Sequence, residues 1–125
     1  MPASGSPHCV LVVEDEAFLA TLLEDVLVSA GYRVLLAARV DSALQIVLSG
    51  ASIDAALLDI DVNGIEVFPV ADRLREKGVP FVFASGYGRE GLPSEFADCA
   101  VVQKPYLPDS ITAALSRSLE VGGDA

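Results

Sequence analysis

The sequence has little positive charge. Only 8 of its 125 residues are lysine or arginine, against 18 aspartates and glutamates, which gives a formal net charge of −10 at pH 7. A DNA-binding surface needs clustered lysine and arginine side chains to neutralise phosphates, and the chain has no basic stripe. Free nucleic acid is therefore not an expected partner. The acidic excess suits a cation or a basic protein surface instead.

Cysteine and long apolar runs are also scarce. Cys9 and Cys99 are too few for a disulfide scaffold and too far apart for a zinc or redox pair. We predict that they are reduced core residues of a cytoplasmic protein. No apolar run reaches the roughly 18 residues of a membrane span, and the N-terminus lacks the apolar stretch of a signal peptide, so no membrane segment is expected. His8, the only histidine, is predicted to be solvated rather than a ligand.

Short apolar runs alternate with amphipathic stretches along the chain. Val- and Leu-rich runs are typical of buried parallel strands, and they predict strands at 9–13, 33–37, 53–58, 81–84 and 100–103. Helical spacing predicts helices at 17–30, at 41–48, from near 66 to 77, and at 108–120. The pattern indicates an α/β fold, a doubly wound parallel sheet of flavodoxin-like order 2-1-3-4-5. We expect one domain, with an ordered core at about 8–121 and loose ends at 1–7 and 122–125.

Single residues mark the predicted helix ends. The first helix carries two apolar rows and stops at Gly31; the rows are Phe18, Leu22, Val26 and Leu19, Leu23, Leu27. Asp41 is predicted to cap the second helix. Pro69 is tolerable only in the first turn of the third helix, where amides lack partners anyway. Three glycines and Pro93 discourage a long fourth helix, so we expect a loop with at most a short helix near Glu95.

Polar residues end four of the five predicted strands. Glu14 and Asp15 follow the first strand, Asp59 the third, Ser85 the fourth and Lys104 the fifth. Open parallel sheets place their sites at the carboxyl ends of the strands, so these side chains are expected to meet. Three carboxylates in one pocket repel each other unless a cation is bound, and oxygen ligands suit Mg²⁺. With Lys104 and Ser85 facing phosphoryl oxygens, the set predicts phosphoryl transfer to Asp59.

Four short motifs resemble the receiver domains of two-component response regulators. They are VEDE at 13–16, LLD at 57–59, FVFASGY at 81–87 and KPY at 104–106. The resemblance extends from Cys9 to Glu120 and implies a CheY-like fold.

The resemblance also implies a role for each site residue. Asp59 corresponds to the phosphoacceptor, Glu14 and Asp15 to the Mg²⁺ pair, Ser85 to the family's hydroxyl and Lys104 to its active-site lysine. The main-chain carbonyl of Asp61 would complete the protein ligands of Mg²⁺, for which Mn²⁺ can substitute. The implied donor is a phosphohistidine on a sensor histidine kinase. The domain would be a phosphoacceptor switch that assists its own phosphorylation and dephosphorylation, and not an enzyme.

Two departures narrow the resemblance. Asp59 is followed by IDVNG, so that fewer residues separate the phosphoacceptor position from the glycine, Gly64, than in ordinary receivers. FVFASGY looks like a variant, with Ser in place of Thr, of the motif that defines the FAT GUY receivers of alphaproteobacteria. Residues 67–72 also resemble the third helix of that subgroup. Such receivers often stand alone and pair with HWE-type histidine kinases. A stand-alone receiver would signal by altered protein contacts, by passing its phosphoryl group to a phosphotransferase, or as a phosphate sink.

The aromatic switch residue of ordinary receivers is replaced by Val101. Tyr87 and Tyr106 remain as signalling aromatics, with simple packing as an equal alternative for each. We hypothesise that phosphorylation draws Ser85 toward the phosphoryl group and that the segment 86–93, which includes Gly86 and Gly88, changes its order at a partner surface.

Two rival interpretations of the sequence are open. LLDIDVNG also fits the opening motif of haloacid dehalogenase phosphatases, with Asp59 as nucleophile and Asp61 as general acid. Such enzymes place their acidic metal pair after the lysine, whereas here the pair precedes Asp59. The other alternative is a receiver-like binding module that works without phosphorylation.

Overall fold

The computed structural model describes residues 8–86, 92–104 and 108–123. Along these residues the elements run, in order, as β1 (Cys9–Val13), α1 (Ala17–Ser29), β2 (Arg33–Ala37), α2 (Val40–Leu48), β3 (Ala55–Asp59), β4 (Asp61–Val62), β5 (Ile65–Glu66), α3 (Phe68–Glu76), β6 (Phe81–Ser85), a 3₁₀ turn (Ser94–Phe96), β7 (Ala100–Gln103) and α4 (Pro108–Gly123).

Five strands form one parallel sheet in the order β2-β1-β3-β6-β7. This confirms the predicted flavodoxin-like order. The central strands β1 and β3 are buried on both faces, which explains why their sequences are continuous apolar runs rather than alternating ones. The third strand begins at Ala55, two residues later than predicted.

Each face of the sheet buries its own hydrophobic core. Leu11, Leu58 and Phe83 point to the face covered by α2 and α3. Val12, Leu57 and Val82, their neighbours along the same strands, point to the face covered by α1 and α4. Because successive side chains of a strand point to opposite faces of the sheet, each strand contributes to two separate cores. Helices cover both faces as predicted.

Helix α1 corrects one expectation. Leu23 and Leu27 are buried, but Phe18 is 78% exposed and Leu22 is 38% exposed. The row that contains Phe18 therefore does not face the core. The helix ends as predicted, because Gly31 adopts φ +97° and its N–H donates to the carbonyl of Val28.

Helix α2 corrects a second expectation. The helix begins at Val40, one residue before the predicted cap, and Arg39 is its N-terminal flanking residue. Asp41 lies inside the first turn, where its carboxylate accepts hydrogen bonds from the Ser42 N–H and from the Arg39 side chain. Asp41 is therefore a first-turn acid and not the N-cap.

A short hairpin, which is not among the predicted elements, follows β3. Strands β4 and β5 pair antiparallel around Asn63 and Gly64, which both have positive φ, at 54° and 79°. An Asn-Gly pair is the strongest short signal for such a turn, so the dipeptide was a usable clue. Helix α3 then begins at Phe68, and Pro69 lies in its first turn as predicted.

The short fourth helix is confirmed as the 3₁₀ turn at Ser94–Phe96. Phe96 is fully buried in an aromatic cluster, which comprises Phe68, Phe81, Phe83 and Phe96. The Phe96 ring stacks on Phe68 at 5.4 Å and meets Phe83 edge-on at 5.5 Å. This one side chain therefore anchors the 3₁₀ turn to α3 and β6.

Cys9 and Cys99 are not joined by a disulfide. Cys9 is buried, as predicted, whereas Cys99 is only partly buried. Among the described residues, no helix combines the length and apolar character that crossing a bilayer would require.

Replacement of Phe96 is expected to destabilise the domain strongly. Phe96→Ala would leave a cavity in the aromatic cluster and lower the free energy of unfolding by about 3–5 kcal/mol. Phe18→Ala, the same change at a side chain that is 78% exposed, is expected to stay within about 0.5 kcal/mol. Urea denaturation of both variants measures the difference. Equal losses would contradict the placement of these two rings.

Candidate functional site

The carboxyl ends of four strands meet at one edge of the sheet. Asp59 ends β3 and pairs with Ala84, and Ser85 ends β6 and pairs with Gln103. The Lys104 N–H donates to the Ser85 carbonyl at 2.9 Å, which extends the β6–β7 ladder by one residue. Parallel pairing in this register therefore brings the residues that follow the apolar runs to the same edge.

Lys104 lies between two buried carboxylates. Its Nζ is 3.1 Å from Asp59 Oδ2 and 3.6 Å from Glu14 Oε1. The side chains of Glu14 and Asp59 are 1% and 9% exposed, and that of Lys104 is 24% exposed. Buried charges need a partner, and Lys104 is the partner shared by both acids.

Burial raises the pKa of Glu14 from 4.5 to about 7. The negative charge of Asp59 adds to this shift, whereas the Glu16 N–H, which donates to Glu14 Oε2 at 3.1 Å, and the charge of Lys104 oppose it. Burial also raises the pKa of Asp59, against the hydrogen bond and charge of Lys104. For Lys104 itself burial acts to lower the pKa, but the hydrogen bond to Asp59 and the charges of Asp59, Glu14 and Asp15 together outweigh it, and the pKa is raised.

Asp15 is held differently from its two neighbours. Its Oδ2 accepts the backbone N–H of Asn63 at 2.9 Å, and this hydrogen bond lowers the pKa of Asp15. The Asn63 side chain in turn donates to the Ala38 carbonyl at 3.2 Å. Asn63 was not predicted as a residue of the site, although the Asn-Gly turn signal marked its position.

Glu14, Asp15 and Asp59 form what we call the acidic site. Each offers a carboxylate oxygen, and these oxygens lie within 4.8 Å of one another. When all three are ionised, Lys104 balances only one of the three charges, so two negative charges remain for a divalent cation. Hard carboxylate oxygens are the ligands that Mg²⁺ prefers, so the donor set fits this ion.

The side chain of Asp61 does not belong to the acidic site. Its carboxylate is exposed and accepts the Gly64 N–H at 2.8 Å within the hairpin. The expected role of Asp61 concerns its main-chain carbonyl, and it stays a prediction.

The remaining candidates are only partly described. Ser85 is buried at the edge beside Asp59, and Gly86 is exposed. Tyr87, Gly88 and Tyr106 lie outside the described residues. Val101, at the position where the resemblance predicts an aromatic switch residue, packs partly buried against the core beneath α2 and α3.

Comparisons with known proteins agree with this architecture. The family model described as "Response regulator receiver domain" matches residues 10–116. The solution structure of SdrG from Sphingomonas melonis is 37% identical, with a TM-score of 0.78 over 90% of this chain and 97% of that chain. The crystal structure of a response regulator receiver protein from Sinorhizobium medicae is 25% identical, with a TM-score of 0.81 over 94% of this chain and 98% of that chain.

Curated relatives match over part of their length. The phyllosphere-induced regulator PhyR of Methylorubrum extorquens is 28% identical over 116 residues, which are 88% of this chain and 43% of PhyR. The chain spans less than half the length of the curated relatives that it matches.

The raised pKa of Glu14 predicts a pH-dependent stability in the absence of metal. Folded Glu14 keeps its proton up to about pH 7, whereas the unfolded chain releases it near 4.5, so the folded state binds more protons between these values. In EDTA, the free energy of unfolding is therefore expected to fall as the pH rises from about 4.5 to about 7. The raised pKa of Asp59 acts in the same direction.

Urea denaturation across this pH range measures the slope. Glu14→Gln is expected to make the fall shallower, and Glu24→Gln on α1, with the same change in charge, is expected to leave it as in the wild type. If both variants follow the wild-type curve, burial of Glu14 does not control its protonation.

Proposed function

The chain belongs to the response regulator receiver domain family, and on that premise we propose that Asp59 accepts a phosphoryl group from the phosphohistidine of a sensor histidine kinase. A phosphoacceptor role in a two-component system is what the family supports. The assignment of Asp59 rests on one observation. Its carboxylate lies at the carboxyl end of the sheet, 3.1 Å from Lys104 Nζ and within the acidic site.

The proposed step is an exchange of one bond for another. An oxygen of Asp59 attacks phosphorus, the bond from phosphorus to the donor imidazole nitrogen breaks, and its electron pair stays on that nitrogen. The product is an acyl phosphate on Asp59. The attacking carboxylate must be ionised, and the hydrogen bond from Lys104 favours the ionised form against the effect of burial.

Lys104 and Ser85 act on the charge of the transferred group in this proposal. The ammonium of Lys104 is a point charge suited to a phosphoryl oxygen, and the Ser85 hydroxyl can donate a hydrogen bond to another. Because both groups are held by the β6–β7 ladder, they reach the site without any large rearrangement of the backbone.

Glu14, Asp15 and Asp59 are the side chains that would hold Mg²⁺, or Mn²⁺ in its place, and the main-chain carbonyl of Asp61 is proposed as a further ligand. When bound, the ion supplies positive charge that offsets the repulsion among the carboxylates and the charge of the phosphoryl oxygens. Asn63 has a supporting part, because its N–H holds Asp15 in its ionised form.

The finer assignments rest on the motif FVFASGY. We propose membership of the FAT GUY subgroup and an HWE-type kinase as donor, in the cytoplasm. The output would be a changed protein contact, transfer to a phosphotransferase, or phosphate-sink action, with Gly86, Tyr87, Gly88 and Tyr106 as the proposed switch surface. The proposal treats residues 8–121 as one receiver domain. Whether this receiver stands alone stays a prediction.

Incubation with acetyl phosphate and Mg²⁺, followed by intact mass spectrometry, tests the acceptor. The wild type is expected to gain one labile phosphoryl group, because an ionised carboxylate is the nucleophile. Asp59→Asn removes that nucleophile and is expected to gain none, and EDTA is expected to abolish the adduct in the wild type. Asp72→Asn, at an exposed position on α3, is the control for the charge change and is expected to behave like the wild type.

The same assay separates the rival interpretations. Absence of an adduct with acetyl phosphate, phosphoramidate and a phosphorylated kinase would exclude the switch and leave the binding module. Continuous hydrolysis of p-nitrophenyl phosphate that Asp59→Asn abolishes would instead indicate a phosphatase of the haloacid dehalogenase type.

A further inference from the structure

A second concave site lies at the opposite edge of the sheet from Asp59. It is a cavity of about 490 Å³ between the loops that lead into β6 and β7 and the middle of α4. These loops, at 78–80 and 98–100, approach the amino ends of their strands, whereas the acidic site lies at the carboxyl ends. The cavity is therefore separate from the phosphoacceptor site, and its volume falls within the range of small-molecule pockets.

The cavity offers an apolar surface to a ligand. Val79, Pro80 and Phe81 line one side and are half-buried, and Ala114 of α4, which is 5% exposed, lines another. A ligand with an apolar body would cover this surface and remove it from water, which is the main source of affinity in pockets of this kind.

The same cavity is basic in an acidic chain. Arg75 and Arg117 line it, whereas Asp98 is its only acidic lining residue. The whole chain has 8 lysines and arginines and a net charge of −10, so two of its few cations lie at one cavity. No ion pair joins Asp98 to either arginine among the described residues. The local charge therefore favours an anion, although the surface as a whole repels anions.

Arg75 is already held in place. Its guanidinium carbon lies 4.6 Å from the centroid of Phe96, and its N–H groups donate to the Glu95 carbonyl at 3.1 Å and to Cys99 Sγ at 3.4 Å. These two bonds engage two of the five N–H donors of a guanidinium. A cation fixed in this way loses little side-chain entropy when it binds an anion.

The backbone of the loop before β6 cannot bind the anion instead. The N–H of Gly78 donates to the Arg75 carbonyl, that of Val79 donates to the Leu74 carbonyl, and Pro80 has no N–H. The charged donors that line the cavity are the two guanidinium groups, whose paired N–H groups match a carboxylate.

We propose that this basic cavity binds a small amphipathic carboxylate, that is, a medium-chain aliphatic or aryl carboxylic acid. The carboxylate is held by Arg117 together with Arg75, and the apolar body covers Pro80, Phe81 and Ala114. The proposal does not depend on phosphorylation of Asp59.

Titration of the full chain followed by amide NMR tests the site. Octanoate and phenylbutyrate are the probes, and octanol and octylammonium are the controls that keep the apolar body without the negative charge. The acids are expected to give saturable shifts of the Ala100 and Ala114 amides, whereas octanol and octylammonium bind at least roughly tenfold more weakly, because a hydrogen-bonded charge is worth about this much.

Variants separate charge recognition from simple burial. Arg117→Gln is expected to weaken octanoate binding by roughly tenfold, and Ala100→Trp, which fills the cavity from an exposed position, is expected to abolish it. Arg33→Gln on β2 makes the same charge change away from the cavity and is expected to bind as the wild type does.

Three results with these ligands and variants would overturn the proposal. They are the absence of saturable shifts with either acid, binding of octanol as tight as that of octanoate, and equal affinities of Arg117→Gln and Arg33→Gln. An acetylated dipeptide that ends in leucine carries the same groups at a peptide C-terminus. If this dipeptide binds more tightly than octanoate, the cavity recognises a peptide end and the small-molecule assignment is wrong.

Discussion

The ion pair between Lys104 and Asp59 is the interaction on which the acidic edge of this domain depends. Three carboxylates lie together, two of them buried, and Lys104 is the cation that contacts the buried pair. Lys104 reaches them because it directly follows β7, and β7 is held in register by β6. β7 is an edge strand that pairs only with β6 in this sheet. The position of the Lys104 charge therefore depends on the pairing of these two strands.

The aromatic cluster connects the parts of the chain that carry the site. Phe68 begins α3 just after the hairpin that follows Asp59, Phe83 lies two residues before Ser85, and Phe96 belongs to the 3₁₀ turn. Their rings are in direct contact, so these segments share one packed interior. Val101 on β7, where the resemblance predicts an aromatic switch residue, packs partly buried against the same core.

Most of the fold and of the acidic site was predictable, because both depend on patterns that the sequence states directly. Strands buried on both faces read as continuous apolar runs, and the acids and the lysine stand where those runs end. The errors have local physical causes. The position of Phe18 on α1 depends on which helix face meets the sheet, and periodicity alone does not decide between two adjacent rows. The predicted cap of α2 was two residues too late, at Asp41 instead of Arg39, because an acid is favoured in the first turn as well as at the cap.

The hydrogen bond from the Asn63 N–H to Asp15 constrains the length of the hairpin. Surface loops normally tolerate insertions and deletions, because nothing else depends on their length. Here the amide that holds Asp15 sits in a two-residue turn, so one added residue would withdraw the donor from the carboxylate. A gap at 61–66 in an alignment of relatives would thus record a change in how the Asp15 carboxylate is held, even though it falls in a surface loop.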